Sequence, residues 1–220
     1  MLIEPRTVRI FFSKKDRAIY ISHLDLARTM GRALARSGIP IWYTQGFHPH
    51  IYMTFALPLS LGVSGLKESM DIRITDEIAY HEIEKRLDAA LPEGLKALSV
   101  AEPVMQPKMI YWSAYQIELA CVSEQGMTAV DAYQRQEVIV TQKRSKKGTK
   151  EVDIKPLFQI LGSGASPSGI SLTLRCRSGV ETNLNPALVI ESLCEDTGLS
   201  IFKKSITRSA LLTEEGIEFA

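Results

Sequence analysis

The order of strand-like and helix-like segments repeats once along the chain, and this repeat limits the fold more than any single residue does. Residues 7–13 are rich in β-branched and aromatic side chains and read as a strand. Residues 22–37 read as a helix that Gly38, Ile39 and Pro40 stop. Residues 41–43 and 52–55 are short strands around a turn holding Gly46 and Pro49. Residues 68–75 form a strand, alternating cleanly from Met70. Asp76 is placed to cap an acidic helix over 78–91, which Pro92 and Gly94 end, and 95–100 closes the first half as a strand.

The second half gives a strand over 113–122, a short helix over 127–135, and strands over 137–142 and 169–177. Asn185 and Pro186 then open a helix to Asp196 that Gly198 ends, and 200–207 is the last strand. With the short inserted strands set aside, each half reads β-α-β-β-α-β, the split arrangement of ferredoxin-like folds. The expected fold class is therefore α+β: two tandem ferredoxin-like halves with antiparallel sheets, over residues 1–104 and 109–220, joined by a proline-bearing linker. The halves share no residue-level identity, so the repeat is one of topology. Residues 143–150 stand outside this scaffold as a basic hairpin, and Lys143, Arg144, Lys146 and Lys147 are candidate contacts to a nucleic-acid backbone. Residues 162–169, made of small turn-formers, read as a mobile loop.

Charge is uneven along the chain although the net value is only +1. Residues 1–60 carry eight Lys/Arg against three acids, and residues 61–104 carry five against nine. Such asymmetry orients an anionic partner. No apolar run approaches the roughly 20 residues a membrane helix needs, and the N-terminus lacks a signal-peptide layout, so a cytoplasmic protein with no membrane contact is expected. The three cysteines are far apart, with no CxxC spacing, and read as buried free thiols rather than ligands.

Residues 22–49 concentrate the chemistry. Ser22 is a plausible N-cap, with Asp25 in the reciprocal capping position. At about 100° per residue, Leu26, Ala27, Met30, Ala33 and Leu34 share one helical face. Arg28, Arg32 and Arg36 line another, with Asp25 in the same sector. Like charges at this spacing repel by about a few tenths of a kcal/mol per pair, and arginine suits bidentate recognition of phosphate or carboxylate. The face therefore reads as an anion site or as a partner for later acids, for which Glu68 and Asp71 are candidates. Past the helix, Gln45, Gly46, Phe47, His48, Pro49 and His50 form a turn whose aromatic suits base stacking on RNA. His23, His48 and Asp25 are the candidate catalytic groups for acid–base work without a metal. His23, His48 and His50 lack an obvious fourth ligand, so no metal site is assigned.

Ser22-His23-Leu24-Asp25-Leu26, Arg28, Arg32-Ala33-Leu34, Gly38-Ile39-Pro40, Gln45-Gly46-Phe47-His48-Pro49, Phe55-Ala56, Pro58-Leu59, Gly62-Val63, Glu68 and Asp71 form one ordered set across residues 6–75. In this set the chain resembles the radical-SAM-linked protein family, a bacterial domain of unknown function found beside or fused to radical SAM enzymes. The resemblance implies an accessory domain whose partner is a radical SAM protein. S-adenosylmethionine and an iron–sulfur cluster are then expected only in that partner, since this chain has no CxxxCxxC signature and calls for no cofactor of its own.

The expectation for function is an accessory substrate-binding module, more a binder than an enzyme on its own. Arg28, Arg32, Arg36, Gln45, Gly46, Phe47, His48, Glu68 and Asp71 would hold structured RNA such as tRNA or rRNA. One alternative is a metal-independent ribonuclease or small-anion enzyme using His23 and His48. A second is a protein–protein adaptor for the radical SAM enzyme.

Overall fold

The computed structural model describes residues 4–145, 148–179 and 182–220, without the side chains of 143–150. The fold is mixed α+β, with antiparallel strands and four α-helices among the described residues. It divides into two compact units, one running through Pro107 and taking in Ala220, the other Lys108–Phe219.

The first unit contains β1 (Arg6–Lys14), α1 (His23–Arg36), β2 (Met53–Phe55), β3 (Val63–Ile74), α2 (Tyr80–Ala90) and β4 (Leu95–Ala101). Its strands lie in the order β4-β1-β3-β2, each antiparallel to its neighbour. Strand side chains alternate between faces, and here that alternation sorts chemistry. Val8, Ile10, Phe12, Met70, Ile72 and Ile74 meet Leu26, Met30 and Leu34 of α1 and Ile83 and Leu87 of α2 in one core. The residues between them, Arg9, Asp71 and Arg73, turn to the face away from the helices.

On that face Arg9 is almost wholly buried. Its Nε and Nη2 donate to the two Asp71 carboxylate oxygens at 2.7 and 2.8 Å. Its Nη1 donates to the backbone carbonyls of Met105 (2.8 Å) and Ala220 (2.7 Å). A buried guanidinium is tolerated only with such saturation.

The second unit contains β5 (Trp112–Ala120), α3 (Ser123–Gln134), β6 (Val140–Ser145), β7 (Gly148–Asp153), β8 (Phe158–Ser166), β9 (Gly169–Arg177), α4 (Pro186–Thr197) and β10 (Lys203–Leu212). Four of its strands run β10-β5-β9-β8, and β6 and β7 form a separate two-stranded hairpin. Asn185 caps α4 by accepting from the Ala187 N–H at 3.1 Å, and Gly198 ends it in the left-handed region at φ 70°.

Three expectations need correction. Residues 162–166 are not a mobile loop: they complete β8, with Gly162 opposite Thr173 and Gly164 opposite Ser171. Ladder hydrogen bonds from β9, beyond a register shift between Ile160 and Gly162, hold extended a stretch whose composition alone would not. Residues 137–142 do not supply the strand beside β9, because β6 pairs with β7. Asp76 does not cap α2: the helix starts at Tyr80 behind Ala79, while Asp76 accepts from the Thr75 hydroxyl at 3.2 Å.

Asp71→Ala takes the bidentate carboxylate away from the buried Arg9 charge, and we expect it to destabilise the protein by about 3 kcal/mol. The double substitution Arg9→Met, Asp71→Leu removes both charges and should cost distinctly less. Urea unfolding of both variants checks the pair, and equal losses would contradict it.

Candidate functional site

The start of α1 folds as its sequence dictates. The Ser22 hydroxyl accepts from the Asp25 N–H at 3.1 Å and donates to Asp25 Oδ2 at 2.7 Å, so cap and capped residue satisfy each other. Asp25 also pairs with Arg28 at 3.3 Å. The Ser22 hydroxyl, foremost, holds the Asp25 carboxyl below the usual range, with Arg28 assisting. The carboxylate thus stays ionised and neutralises the first arginine of the stripe.

The last arginine is also engaged. Arg36 Nη2 donates to the carbonyl of Ala90 at the end of α2 (3.0 Å), and Arg86 of α2 returns a bond from Nη1 to the Gly38 carbonyl (2.9 Å). This reciprocal latch satisfies carbonyls that helix ends leave open. Arg32 is exposed and, among the described residues, has no ion pair or hydrogen bond. Of the three stripe arginines, Arg32 is the one left for an outside anion.

His23 is the first helical residue, and its ring packs edge-on against Phe55 of β2 at 5.0 Å. Its Nδ1 is buried with no partner. Burial lowers its pKa first, and the charge of Lys14 lowers it further, which favours neutral imidazole. Lys14, at the end of β1, is itself buried and sends Nζ toward the carbonyls of Ile19 (3.4 Å) and Ile21 (3.3 Å), just before the helix. Glu68 is buried on β3, where its side chain folds over Gly65, the residue opposite Lys14. A Cβ at Gly65 would stand 2.5 Å from Glu68 Cγ. The arrangement around His23 therefore includes a buried lysine that the sequence reading missed. The available signal was Lys14 ending a strand that carries Val8, Ile10, Phe11 and Phe12.

The turn after α1 is a tight hairpin. Tyr43 bridges Ile51, the Thr44 N–H donates to the His50 carbonyl at 2.8 Å, and the His50 N–H donates to Thr44 Oγ1 at 3.1 Å. The His50 ring lies 2.9 Å from the Thr44 hydroxyl and 3.1 Å from the His48 carbonyl. Gly46 has φ 135°, which only glycine adopts without strain. Gln45, Phe47 and His48 project at the tip, with Phe47 fully exposed.

The structure brings together some expected site residues and separates others. His23, Asp25 and Arg28 share the start of α1. Asp71 is not a partner of the arginine stripe: it lies on the sheet face away from α1, engaged by Arg9. Glu68 sits in the buried neighbourhood of Lys14 and not beside the turn. Lys146 and Lys147 lie outside the described residues, as do the side chains of Lys143 and Arg144. Among the described residues, no three His, Cys, Asp or Glu side chains are grouped as a metal requires, and no helix is long and apolar enough to cross a membrane. A groove of about 670 Å³ lined by Glu124, Thr128, Asp196 and Leu199 belongs to the second unit and holds none of the motif. Cys121, Cys176 and Cys194 are free, and burial raises the pKa of each thiol.

A family model described as an uncharacterized protein conserved in bacteria, DUF2344, matches residues 7–186, which span both units. The chain belongs to this family. The matched range takes in the whole motif run from His23 to Asp71. No curated protein sequence matches. Among solved structures, a protein of unknown function from Galdieria sulphuraria aligns over 90% of this chain and 96% of its own, at 15% identity and a TM-score of 0.28. That score is too low to carry a statement of shared fold.

The lowered pKa of His23 has a direct consequence. As pH falls below about 6.5 the unfolded chain takes up a proton at this position before the folded one. Stability present above that pH is therefore lost as pH drops toward the lower folded value. His23→Gln should flatten the fall in Tm between about pH 7 and pH 5. An unchanged slope would show that His23 is protonated as readily in the fold as in water.

Proposed function

We propose that this chain is an accessory substrate-binding module for structured RNA, such as tRNA or rRNA, acting with a radical SAM partner in the bacterial cytoplasm. The partner would bring the S-adenosylmethionine and the iron–sulfur cluster. The observation that carries this reading is the locked hairpin tip, where Phe47 stands fully exposed on backbone braced by Thr44 and His50. A large aromatic held out in water without apolar cover is poorly suited to folding and well suited to stacking on an unpaired base. Arg32, unpaired on α1, supports the same reading by offering an exposed guanidinium for a phosphate. The strand orders β4-β1-β3-β2 and β10-β5-β9-β8 follow one scheme, which supports reading each unit as a ferredoxin-like half.

A second reading, a metal-independent ribonuclease, draws on the unpartnered Nδ1 of His23 beside Lys14. A neutral imidazole can accept a proton from a ribose hydroxyl. His48 stands at the hairpin tip instead, so this chemistry would rest on His23. The ribonuclease reading predicts RNA cleavage that His23→Gln abolishes; intact RNA after incubation with the unsubstituted protein would remove it.

Binding is read by the anisotropy of a labelled RNA stem-loop over a range of salt. Phe47→Ala should weaken binding about 5- to 150-fold, the value of one stacked base, with the salt dependence unchanged. Arg32→Ala should lower the slope of log affinity against log salt by about 0.7 to 0.9. RNA affinity unaltered by both substitutions would overturn the RNA reading. Co-purification with the radical SAM protein that survives both changes would then favour a protein–protein adaptor.

A further inference from the structure

Each unit sets an arginine against two aromatic rings on the corresponding strand of its sheet. In the first unit, Arg73 near the end of β3 lies opposite Thr7, the second residue of β1. Its Cζ is 4.5 Å from the centre of the Tyr52 ring and 5.2 Å from that of Trp42. The two rings are themselves edge-to-face, 6.1 Å apart. In the second unit, Arg177 at the end of β9 lies opposite Trp112, the first residue of β5. Its Cζ is 3.3 Å from the Tyr111 ring centre and 5.5 Å from that of Trp112, rings that are again edge-to-face at 5.3 Å, while Arg175 of the same strand lies 4.8 Å from the Trp112 ring centre.

The strands β3 and β9 hold corresponding positions in the two strand orders, each beside the first strand of its unit. Both arginines also alternate with core residues, Arg73 between Ile72 and Ile74 and Arg177 after Cys176. The aromatics come from different segments, however: the hairpin after α1 in one unit and the start of the first strand in the other. The two units thus reach similar pairings by separate local routes, the second with Arg175 also against Trp112.

Neither guanidinium has a hydrogen bond or ion pair among the described residues, and in both the Nε is buried without a partner. Only Nε is buried in this unpartnered state, so the Nη groups reach the surface. The buried Nε side of each guanidinium is closed to a ligand, and the Nη side is the part that an outside acceptor can meet. The same fold shows what a satisfied guanidinium looks like: Arg9 carries a bidentate carboxylate and two carbonyls. At Arg73 and Arg177 two rings set edge-to-face lie against the guanidinium carbon where Arg9 has bonded acceptors, and the Nη groups are left for an incoming acceptor.

We infer that Arg73 on Trp42 and Tyr52, and Arg177 on Tyr111 and Trp112, are two receptors for phosphate-type oxyanions. They take the backbone phosphates of the RNA if the RNA reading above is right, and the identity of the ligand rests on that reading. The planar fork binds two phosphate oxygens through its Nη edge. The first receptor lies at the base of the hairpin whose tip carries Phe47, since Trp42 and Tyr52 flank the Tyr43–Ile51 bridge. A strand of RNA held by a phosphate at the base can present a base to the tip.

Trp42 and Trp112 are the two tryptophans of the chain, so intrinsic fluorescence reports each receptor. Inorganic pyrophosphate and a labelled single-stranded RNA are titrated separately into the full chain, with Trp emission and RNA anisotropy followed together. Trp112→Phe leaves the first receptor as the reporter and Trp42→Phe leaves the second. Both ligands should change emission in each single-tryptophan protein. Arg73→Lys or Arg177→Lys, which keeps the charge but loses the fork, should weaken the response of its own receptor about tenfold. RNA binding by anisotropy without any emission change, or with the lysine variants binding as before, overturns the receptors while the RNA reading stands. An emission response to pyrophosphate without RNA binding upholds the receptors and removes the RNA reading. A stronger response to oligoglutamate than to either phosphate ligand overturns the choice of phosphate and points to an acidic protein.

Discussion

A single guanidinium sets the terms for the first unit. Arg9 sits in the second strand of the order β4-β1-β3-β2, on the face that the helices leave uncovered, and almost none of it meets water. Such a charge is expensive to bury unless every donor finds an acceptor in the right direction. Asp71 supplies two oxygens across the β1–β3 ladder, and the carbonyls of Met105 and Ala220 supply two more. These bonds fix the register in which Arg9 opposes Asp71, and with it the face on which every other β3 side chain emerges. They also tie the segment after β4 to the sheet.

From that register follows the division of chemistry in the first unit. One face carries Met70, Ile72 and Ile74 to the helices. The other carries Asp71 and Arg73, of which the first is held by Arg9 and the second lies against two aromatic rings with its Nε unpartnered. On the helix side, the polar groups are largely occupied by the fold itself. Asp25 closes the cap and neutralises Arg28, and Arg36 and Arg86 latch the ends of α1 and α2. What the fold leaves unused is then informative: the Arg32 guanidinium, the Phe47 ring, the His23 Nδ1 and the Arg73 fork. In the second unit Arg177 belongs with them.

The cluster at the start of α1 differs in kind from the hairpin tip. Lys14, His23 and Glu68 are held in or near the core, and burial and a neighbouring charge keep the imidazole neutral. The tip is exposed polar backbone braced by Thr44 and His50, with an aromatic and no apolar cover. Buried ionisable groups suit the control of protonation and position, whereas an exposed ring suits contact with a large partner.

Local chemistry was legible in the sequence wherever short-range rules decide the outcome. The Ser22–Asp25 cap, the core face of Leu26, Met30 and Leu34, the Gly38 stop, the Asn185 cap and the Gly198 terminus all depend on residues within a few positions of one another. The glycine-containing turn with its exposed Phe47 is of the same kind, since Gly46 alone permits its backbone. Tertiary structure decided what depends on pairing between distant strands. The small-residue stretch to Ser166 became a strand because β9 offers it a ladder, and β6 left the main sheet because β7 took its hydrogen bonds. Asp71 went to Arg9, 62 positions away, because the β1–β3 register places them side by side on one face. The arginine–aromatic stacks were likewise hidden, as each joins residues whose neighbourhood exists only once the sheet has formed.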